Sequence, residues 1–180
     1  LDPGSFQCHK RRDGGGCDLC SHLIEGRQVQ SVVNNRKFTI QHHLSHDISD
    51  IWLIYLITDT VCGKQYIGSS TDMRKRFANH KSSCNARSST VTGLAAHFSN
   101  PPGCPGYNYP KQPHIKVTLV DGFQASHSDL TKKGHDFRVK NCHCIFCNKL
   151  NRLENEWIMK MGLFQGPLGL NSREDLGLSL

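Results

Sequence analysis

Apolar positions along the chain fall into short runs whose spacing distinguishes strands from helices. The run IWLIYLI at 51–57 is rich in β-branched and aromatic residues and predicts a strand. A turn at 62–64 then leads to QYIG at 65–68, which predicts the returning strand of a hairpin. KFTIQHHL at 37–44 predicts a short strand, and HIKVTLVDGF at 114–123 predicts a further one.

Helical spacing occurs in three segments. Met73 and Phe77 lie four apart after residue types that cap helices, and together they predict a helix over about 72–82. STVTGLAAHF at 89–98 predicts a second helix. NKLNRLENEWIMKMG at 148–162 repeats its apolar residues at helical spacing and ends in glycine, so it predicts a third.

One polar residue of the last helix is out of place. Glu154 lies between Leu150 and Ile158 at steps of four, so its side chain points along the apolar stripe. A carboxylate directed at a core is costly unless it is paired or binds a metal. Two interpretations stay open. In the first, Glu154 lies at the rim of the core and pairs with an arginine. In the second, Glu154 is a metal ligand.

Composition favours a polyanionic partner. The 180 residues carry 22 Lys and Arg against 15 Asp and Glu, a formal charge of +7. This charge suits nucleic acid, although a merely soluble basic protein has it too. The longest apolar run has seven residues, far fewer than the ~20 of a membrane-spanning helix.

Two tyrosines, Tyr55 and Tyr66, fall on the predicted hairpin, and Arg76 and His80 share one face of the next helix. With Glu154 they form a set that could hydrolyse a phosphodiester. That reaction needs a base for water, positive charge for the phosphate oxygens, and a cation for the leaving oxygen. Taken singly, each tyrosine is more simply explained by packing within a strand.

These residues stand in a recognisable pattern. YIG at 66–68 follows LIY at 53–55, with ten residues between the two tyrosines. Arg76, His80, Glu154 in LENEWI and Asn171 in GLN follow in order. In these motifs, from about 51 to 171, the sequence resembles the GIY-YIG nuclease family. It departs from the family at Leu53, where the first motif has glycine.

The resemblance implies a small α/β (α+β) domain with the GIY-YIG nuclease fold, a three-stranded antiparallel sheet flanked by helices. It implies one divalent ion, Mg²⁺ or Mn²⁺, held mainly by Glu154. Tyr55, helped by His80 or Tyr66, would accept the proton of the attacking water, and Arg76 would steady the phosphate. Asn171 is among the expected catalytic positions. A free tyrosine has a pKa of about 10, so a neighbouring positive charge must lower it for this role.

Four further cations are candidates for contacts with DNA phosphates. They lie in the hairpin turn and on the first predicted helix: Lys64, Arg74, Lys75 and Lys81. A solvated helix face explains the helical ones equally well.

A narrower resemblance concerns the surroundings of the motifs. CDLC at 17–20, LAAHF at 94–98 and the closing RLENEWIMKMG with PLGLN are similar to the endonuclease domain of Penelope-like retroelements. This implies a nuclear enzyme, fused to a reverse transcriptase, that nicks DNA to leave a 3′-hydroxyl primer. Two other interpretations are a free-standing repair, restriction or homing nuclease, and a silent zinc-stabilised nucleic-acid-binding module.

Nine cysteines, an odd number, favour thiols or metal over a disulfide framework. We expect a Cys/His-rich, zinc-stabilised N-terminal extension at 1–48 and the nuclease domain at 49–180.

The knuckle spacing of the cysteines suggests one zinc site with four ligands: Cys17, Cys20, Cys144 and Cys147. Alternatively each cluster binds its own zinc and recruits neighbours: Cys8 and His22, and His135 and Cys142. Unligated thiols are the third possibility, and Cys62 is expected to be an ordinary residue.

Overall fold

A computed structural model describes residues 18–24, 26–40, 51–85, 93–99, 114–125, 142, 144–164 and 166–172. Its strands are β1 (Gln28–Gln30), β2 (Lys37–Thr39), β3 (Ile51–Asp59), β4 (Gln65–Ser70) and β5 (Ile115–Gln124). Its helices are α1 (Met73–Asn85), α2 (Gly93–Ser99) and α3 (Ile145–Met161). Strands β2 to β5 and all three helices lie in the segments predicted from hydrophobic spacing, with α3 beginning three residues before its predicted segment. Residues 41–44 of the predicted strand and 89–92 of the predicted second helix fall outside the described residues, and β1 was not predicted.

The main sheet has the antiparallel order β4-β3-β5. Its central strand β3 is buried on both faces, which explains why IWLIYLI is continuously apolar instead of alternating. Tyr55 and Ile57 face the cluster that includes Phe77 of α1 and Leu94 of α2. Ile54 and Leu56 face the opposite cluster, which includes Ile158 of α3. The sheet therefore separates two cores.

A bulge interrupts the pairing of β3 with β5 next to Tyr55. Ile54 lies opposite Asp121, but Tyr55 lies opposite Leu119, so Val120 is the extra residue. A bulge bends its strand and increases the local twist, and bulges are common beside active sites. No pattern in the sequence indicated it.

The outer edge of β4 is covered by the C-terminal segment. Gln65 donates its backbone N–H to Leu168 and accepts a bond from the N–H of Leu170. Next along the strand, the Asn171 side chain bonds to the backbone of Ile67. This cover removes an exposed sheet edge that would otherwise be able to pair with other chains.

The described part of the predicted N-terminal extension packs on the same cores. Leu19 joins the cluster on the α1 face, and Val29 of β1 joins the one on the α3 face. The Ser31 hydroxyl donates to the Met161 carbonyl at 2.6 Å, which ties the β1–β2 hairpin to the end of α3. No helix among the described residues is long and apolar enough to span a membrane.

We predict that the C-terminal cover of β4 depends on a glycine. A Cβ added at Gly169 would lie 2.2 Å from the Leu163 carbonyl oxygen, so the backbone has to move apart. Gly169→Ala should lower the free energy of unfolding by roughly 1–3 kcal/mol in urea titrations, the usual cost of overpacking. Gly166→Ala is the matched control, because its Cβ meets nothing closer than 3.9 Å. Equal unfolding midpoints for the two variants would contradict this packing.

Candidate active site

The two motif tyrosines pack over a glycine on the neighbouring strand. Tyr55 of β3 lies directly opposite Gly68 of β4. A Cβ at Gly68 would lie 2.4 Å from the Tyr55 hydroxyl oxygen and 2.8 Å from Cε1 of Tyr66. The glycine of YIG is therefore required by the close approach of both rings.

Helix α1 brings two side chains to the Tyr55 hydroxyl. Arg76 Nε donates to this oxygen at 3.0 Å, and His80 Nε2 lies 2.7 Å from it. The helix is positioned by the Asp72 carboxylate, which accepts the Lys75 N–H at 3.0 Å and so caps its first turn. The spacing of four residues between Arg76 and His80 places both beside one hydroxyl.

The site holds Arg76 among acidic groups. The negative charge that Tyr55 can carry raises the pKa of Arg76, burial lowers it, and the charges of Tyr66 and Glu154 add to the increase. Arg76 is therefore close enough to interact electrostatically with both tyrosines and with the carboxylate. Its side chain is half-buried, whereas Tyr55 and Tyr66 are fully buried.

His80 is neutral in this environment. Burial, with the positive charge of Arg76 as a second cause, lowers the pKa of His80 to about 3. A neutral imidazole has one donor and one acceptor nitrogen, so His80 Nε2 accepts a bond from the Tyr55 hydroxyl in one tautomer and donates a bond to the phenolate in the other. The hydroxyl oxygen meanwhile accepts the Arg76 bond. Tyr66 meets His80 through ring contact, with centroids 5.8 Å apart.

Glu154 approaches from the other face of the sheet. Its half-buried carboxylate accepts a bond from the Ser69 hydroxyl at 2.6 Å. Ser69 follows Gly68 on β4, so the carboxylate and the tyrosines are brought together by adjacent residues of one strand. Carboxylate oxygens are the ligands that Mg²⁺ and Mn²⁺ prefer, and Glu154 fits such an ion.

Asn171 contacts backbone. Its side-chain oxygen accepts the Ile67 N–H at 2.9 Å, and its side-chain nitrogen donates to the Ile67 carbonyl at 2.7 Å. Ile67 lies between Tyr66 and Gly68, so Asn171 holds the strand that carries the motif.

Residues 51–103 match the family model of the GIY-YIG catalytic domain. The chain carries a GIY-YIG nuclease domain. The matched segment contains Tyr55, Tyr66, Arg76 and His80, while Glu154 and Asn171 join the site from beyond it. No curated protein and no solved structure matches the chain.

A GIY-YIG catalytic domain is that of an endonuclease, a phosphodiester hydrolase with DNA as its substrate. GIY-YIG nucleases are metal-dependent.

The predicted DNA-contacting cations of this domain differ in their surroundings. Arg74 and Lys75 are exposed on the first turn of α1, and Lys64 is half-buried in the β3–β4 turn. Lys81 Nζ lies 3.1 Å from the Asp18 carboxylate, an intramolecular ion pair.

Three cysteines cluster where α3 of the GIY-YIG domain begins. The sulfurs of Cys142, Cys144 and Cys147 all lie within 4.8 Å of one another. Cys144 is the N-cap, and its sulfur accepts the Cys147 N–H. Burial and the neighbouring thiols raise the pKa of Cys147 to about 12, so without a cation it stays protonated. Three sulfurs in one place are a fit donor set for zinc.

The remaining predicted zinc ligands are distributed differently. Cys20 is not in the three-cysteine cluster, and His22 lies 3.0 Å from the Ile115 carbonyl with its ring on Phe77. Three other candidates fall outside the described residues: Cys8, Cys17 and His135.

A second donor group was missed from the sequence. His97 Nε2 of α2 lies 2.8 Å from the Asp59 carboxylate and 3.4 Å from the Cys62 sulfur. Burial raises the pKa of Asp59, but hydrogen bonds from His97 and the Val61 and Cys62 backbone outweigh it and lower the pKa overall. The three donor atoms could hold a metal ion. The only sequence signal was a polar residue at the end of a buried strand, beside a cysteine in the turn.

We predict that His80 makes stability depend on pH. Below pH 6.5 the unfolded chain protonates this histidine and the folded chain does not until about pH 3, so stability falls as the solution becomes more acidic. The substitution His80→Gln removes this pH-dependent contribution to the free energy of unfolding. The stability advantage of the wild type over His80→Gln should therefore shrink by about 1.4 kcal/mol between pH 7.5 and 5.5 in urea titrations.

The matched control is His114→Gln, since His114 is exposed. Its difference from the wild type should stay constant over the same interval. A constant difference for His80→Gln as well would show that His80 takes up its proton normally in the folded protein.

Proposed function

We propose that the chain is a metal-dependent DNA endonuclease in which Tyr55 accepts the proton of the attacking water. The contact between Arg76 Nε and the Tyr55 hydroxyl, at 3.0 Å, carries this proposal. A cation bonded to the oxygen stabilises the phenolate, the form that can act as a base. Tyr55 ionised in this way takes a proton from water as the water attacks phosphorus.

The geometry favours Tyr55 over the other two candidate bases. His80 has a pKa of about 3, so it is too weakly basic to hold the proton of water at neutral pH. The Tyr55 hydroxyl is hydrogen-bonded to both Arg76 and His80, and the charge of Tyr55 raises the pKa of Arg76 more than the charge of Tyr66 does. In this proposal His80 orients the Tyr55 hydroxyl.

Arg76 has a second role at the phosphate. A guanidinium has five donors in a fixed fork, so one side chain can bond Tyr55 through Nε and a phosphate oxygen through its terminal nitrogens. Arg76 is half-exposed above two buried tyrosines. Water and the scissile phosphate would therefore reach Tyr55 from the side on which Arg76 is exposed. Arg74 and Lys75 on the same turn, with Lys64 and Lys81, would hold neighbouring phosphates.

Glu154 is the proposed ligand of Mg²⁺ or Mn²⁺. A cation held there would supply Lewis-acid stabilisation of the leaving oxygen. The charge of Glu154 contributes to the pKa of Arg76, so the carboxylate lies near the group that contacts phosphate. Tyr55, the proposed base, and Glu154, the proposed metal ligand, would thus act on opposite sides of one phosphodiester.

We propose structural zinc on Cys142, Cys144 and Cys147, with a fourth ligand from among the remaining candidates named above. Such an ion would tie the N-terminal residues, or the 126–141 segment, to the beginning of the helix that carries Glu154. The Asp59, Cys62 and His97 group is a competing location for the same ion.

We also propose a role in retroelement priming. The nuclease would nick target DNA in the nucleus and leave a 3′-hydroxyl for a reverse transcriptase domain of the same parent polypeptide. The similarity of CDLC, LAAHF and RLENEWIMKMG to Penelope-like elements supports this role. A test is whether a DNA polymerase extends the nicks directly; ends that need phosphatase treatment first would contradict it.

The nuclease itself is tested on supercoiled plasmid with Mg²⁺, Mn²⁺ or chelator. We expect nicked circles with either metal, none with chelator, and none from Glu154→Ala. Tyr55→Phe should lose at least about 100-fold in rate, the usual contribution of a general base. Tyr66→Phe should lose less, because it keeps the Tyr55 hydroxyl.

Two outcomes would contradict the proposal. Full cleavage by Tyr55→Phe with loss in Tyr66→Phe would assign the base to Tyr66. Intact plasmid under every condition, with a band shift on a gel, would favour the silent nucleic-acid-binding module.

Zinc is tested by elemental analysis of protein purified without added metal. We expect about one equivalent, and its loss in Cys144→Ser together with a lower melting temperature. Cys62→Ser is the comparison, because it disrupts the competing donor group. Less than half an equivalent of zinc in the wild type, or loss only in Cys62→Ser, would contradict the three-cysteine site.

A further inference from the structure

The bond between Ser69 and Glu154 links the strand of the YIG motif to the metal-binding helix. Its length of 2.6 Å is in the range of a hydroxyl that donates to a charged carboxylate. Such a bond favours the ionised carboxylate, which is the form that binds a cation. A carboxylate has lone pairs for several partners, so it can accept this bond and bind a metal as well.

The sheet fixes where Ser69 points. Ile54 of β3 lies opposite Ser69 of β4 and opposite Asp121 of β5, so the three form one row across the sheet. Residues directly opposite one another in antiparallel strands share a face. Asp121 accepts the Trp157 indole N–H at 2.9 Å, and Ser69 bonds Glu154.

The two bonds hold one turn of α3. Glu154 and Trp157 are three residues apart, hence neighbours on the same side of the helix. The bond from Trp157 to Asp121 fixes the turn against β5, and the bond from Ser69 reaches the Glu154 carboxylate from β4. When the Ser69 hydroxyl is removed, the bond from Trp157 still holds this turn against the sheet.

We propose that Ser69 is a positioning residue that orients Glu154 for the catalytic metal. This inference rests on the proposed function, in which Glu154 is the metal ligand. A residue that hydrogen-bonds to a metal-binding side chain typically contributes 10- to 100-fold to metal affinity. We expect a loss at the lower end of that range when the hydroxyl is removed, because Glu154 itself remains.

The test measures Mn²⁺ binding to the full chain by the electron paramagnetic resonance signal of unbound Mn²⁺. Ser69→Thr and Ser69→Val are a matched pair, because their side chains have the same shape, suit a strand, and differ in the hydroxyl. We expect Ser69→Thr to bind Mn²⁺ like the wild type. We expect Ser69→Val to bind it about tenfold more weakly, with plasmid cleavage restored at high Mn²⁺.

Two further variants make the outcomes distinguishable. Thr71→Ala, at an exposed position beyond the strand, should leave Mn²⁺ affinity unchanged. Glu154→Gln should abolish the site. Wild-type affinity in Ser69→Val, with loss in Glu154→Gln, would overturn the role of Ser69 alone. Wild-type affinity in Glu154→Gln would overturn Glu154 as the metal ligand and the proposed function with it.

Discussion

The contact between Arg76 and the Tyr55 hydroxyl is the interaction on which the proposed chemistry depends. It brings a permanent positive charge to a phenol that is fully buried. Burial alone disfavours the phenolate, because charge is poorly solvated in a protein interior. The direct bond from Nε opposes that penalty. Burial, with the charge of Arg76 as the second cause, lowers the pKa of His80 and keeps it neutral, so its Nε2 can bond the Tyr55 oxygen in either protonation state of the phenol.

The rest of the domain provides the geometry for this contact. Gly68 leaves room for the Tyr55 ring, the bulge at Val120 bends the sheet beside it, and Asn171 holds Ile67 between Tyr66 and Gly68. Because successive side chains of a strand point to opposite faces, consecutive residues of β3 and β4 serve opposite sides of the sheet. Gly68 accommodates the tyrosines on the α1 side, and Ser69 reaches Glu154 on the α3 side. In the proposed function, side chains on the two faces of one strand therefore act on one phosphate.

Much of this arrangement was predictable from local patterns. β-Branched runs and helical spacing identified the principal strands and helices, and the four-residue spacing of Arg76 and His80 placed them together. Glu154 was conspicuous because a carboxylate in an apolar stripe needs a partner, although the pattern alone left open whether that partner is an arginine or a metal. The apolar spacing of NKLNRLENEWIMKMG found the body of α3 but not its N-cap, since Cys144 acts through its sulfur and not as a usual capping type.

Contacts between distant segments were not predictable. Ser69 lies 85 residues from Glu154, and His97 lies 38 from Asp59. Nothing in the local sequence of Ser69 or His97 signals its partner, because register and helix packing decide which side chains meet. Asn171 is a predicted catalytic position, and its amide bonds to the backbone of Ile67, 104 residues away. No local pattern in the sequence indicates this contact.

The central claim is that Arg76 makes Tyr55 acidic, and tyrosinate absorbance during an alkaline titration measures this directly. The chain has four tyrosines, and a free tyrosine ionises near pH 10. We predict that by pH 9 the wild type forms about one tyrosinate that is missing from both Tyr55→Phe and Arg76→Gln. Superimposable titration curves for the wild type and Tyr55→Phe up to pH 10 would contradict the account.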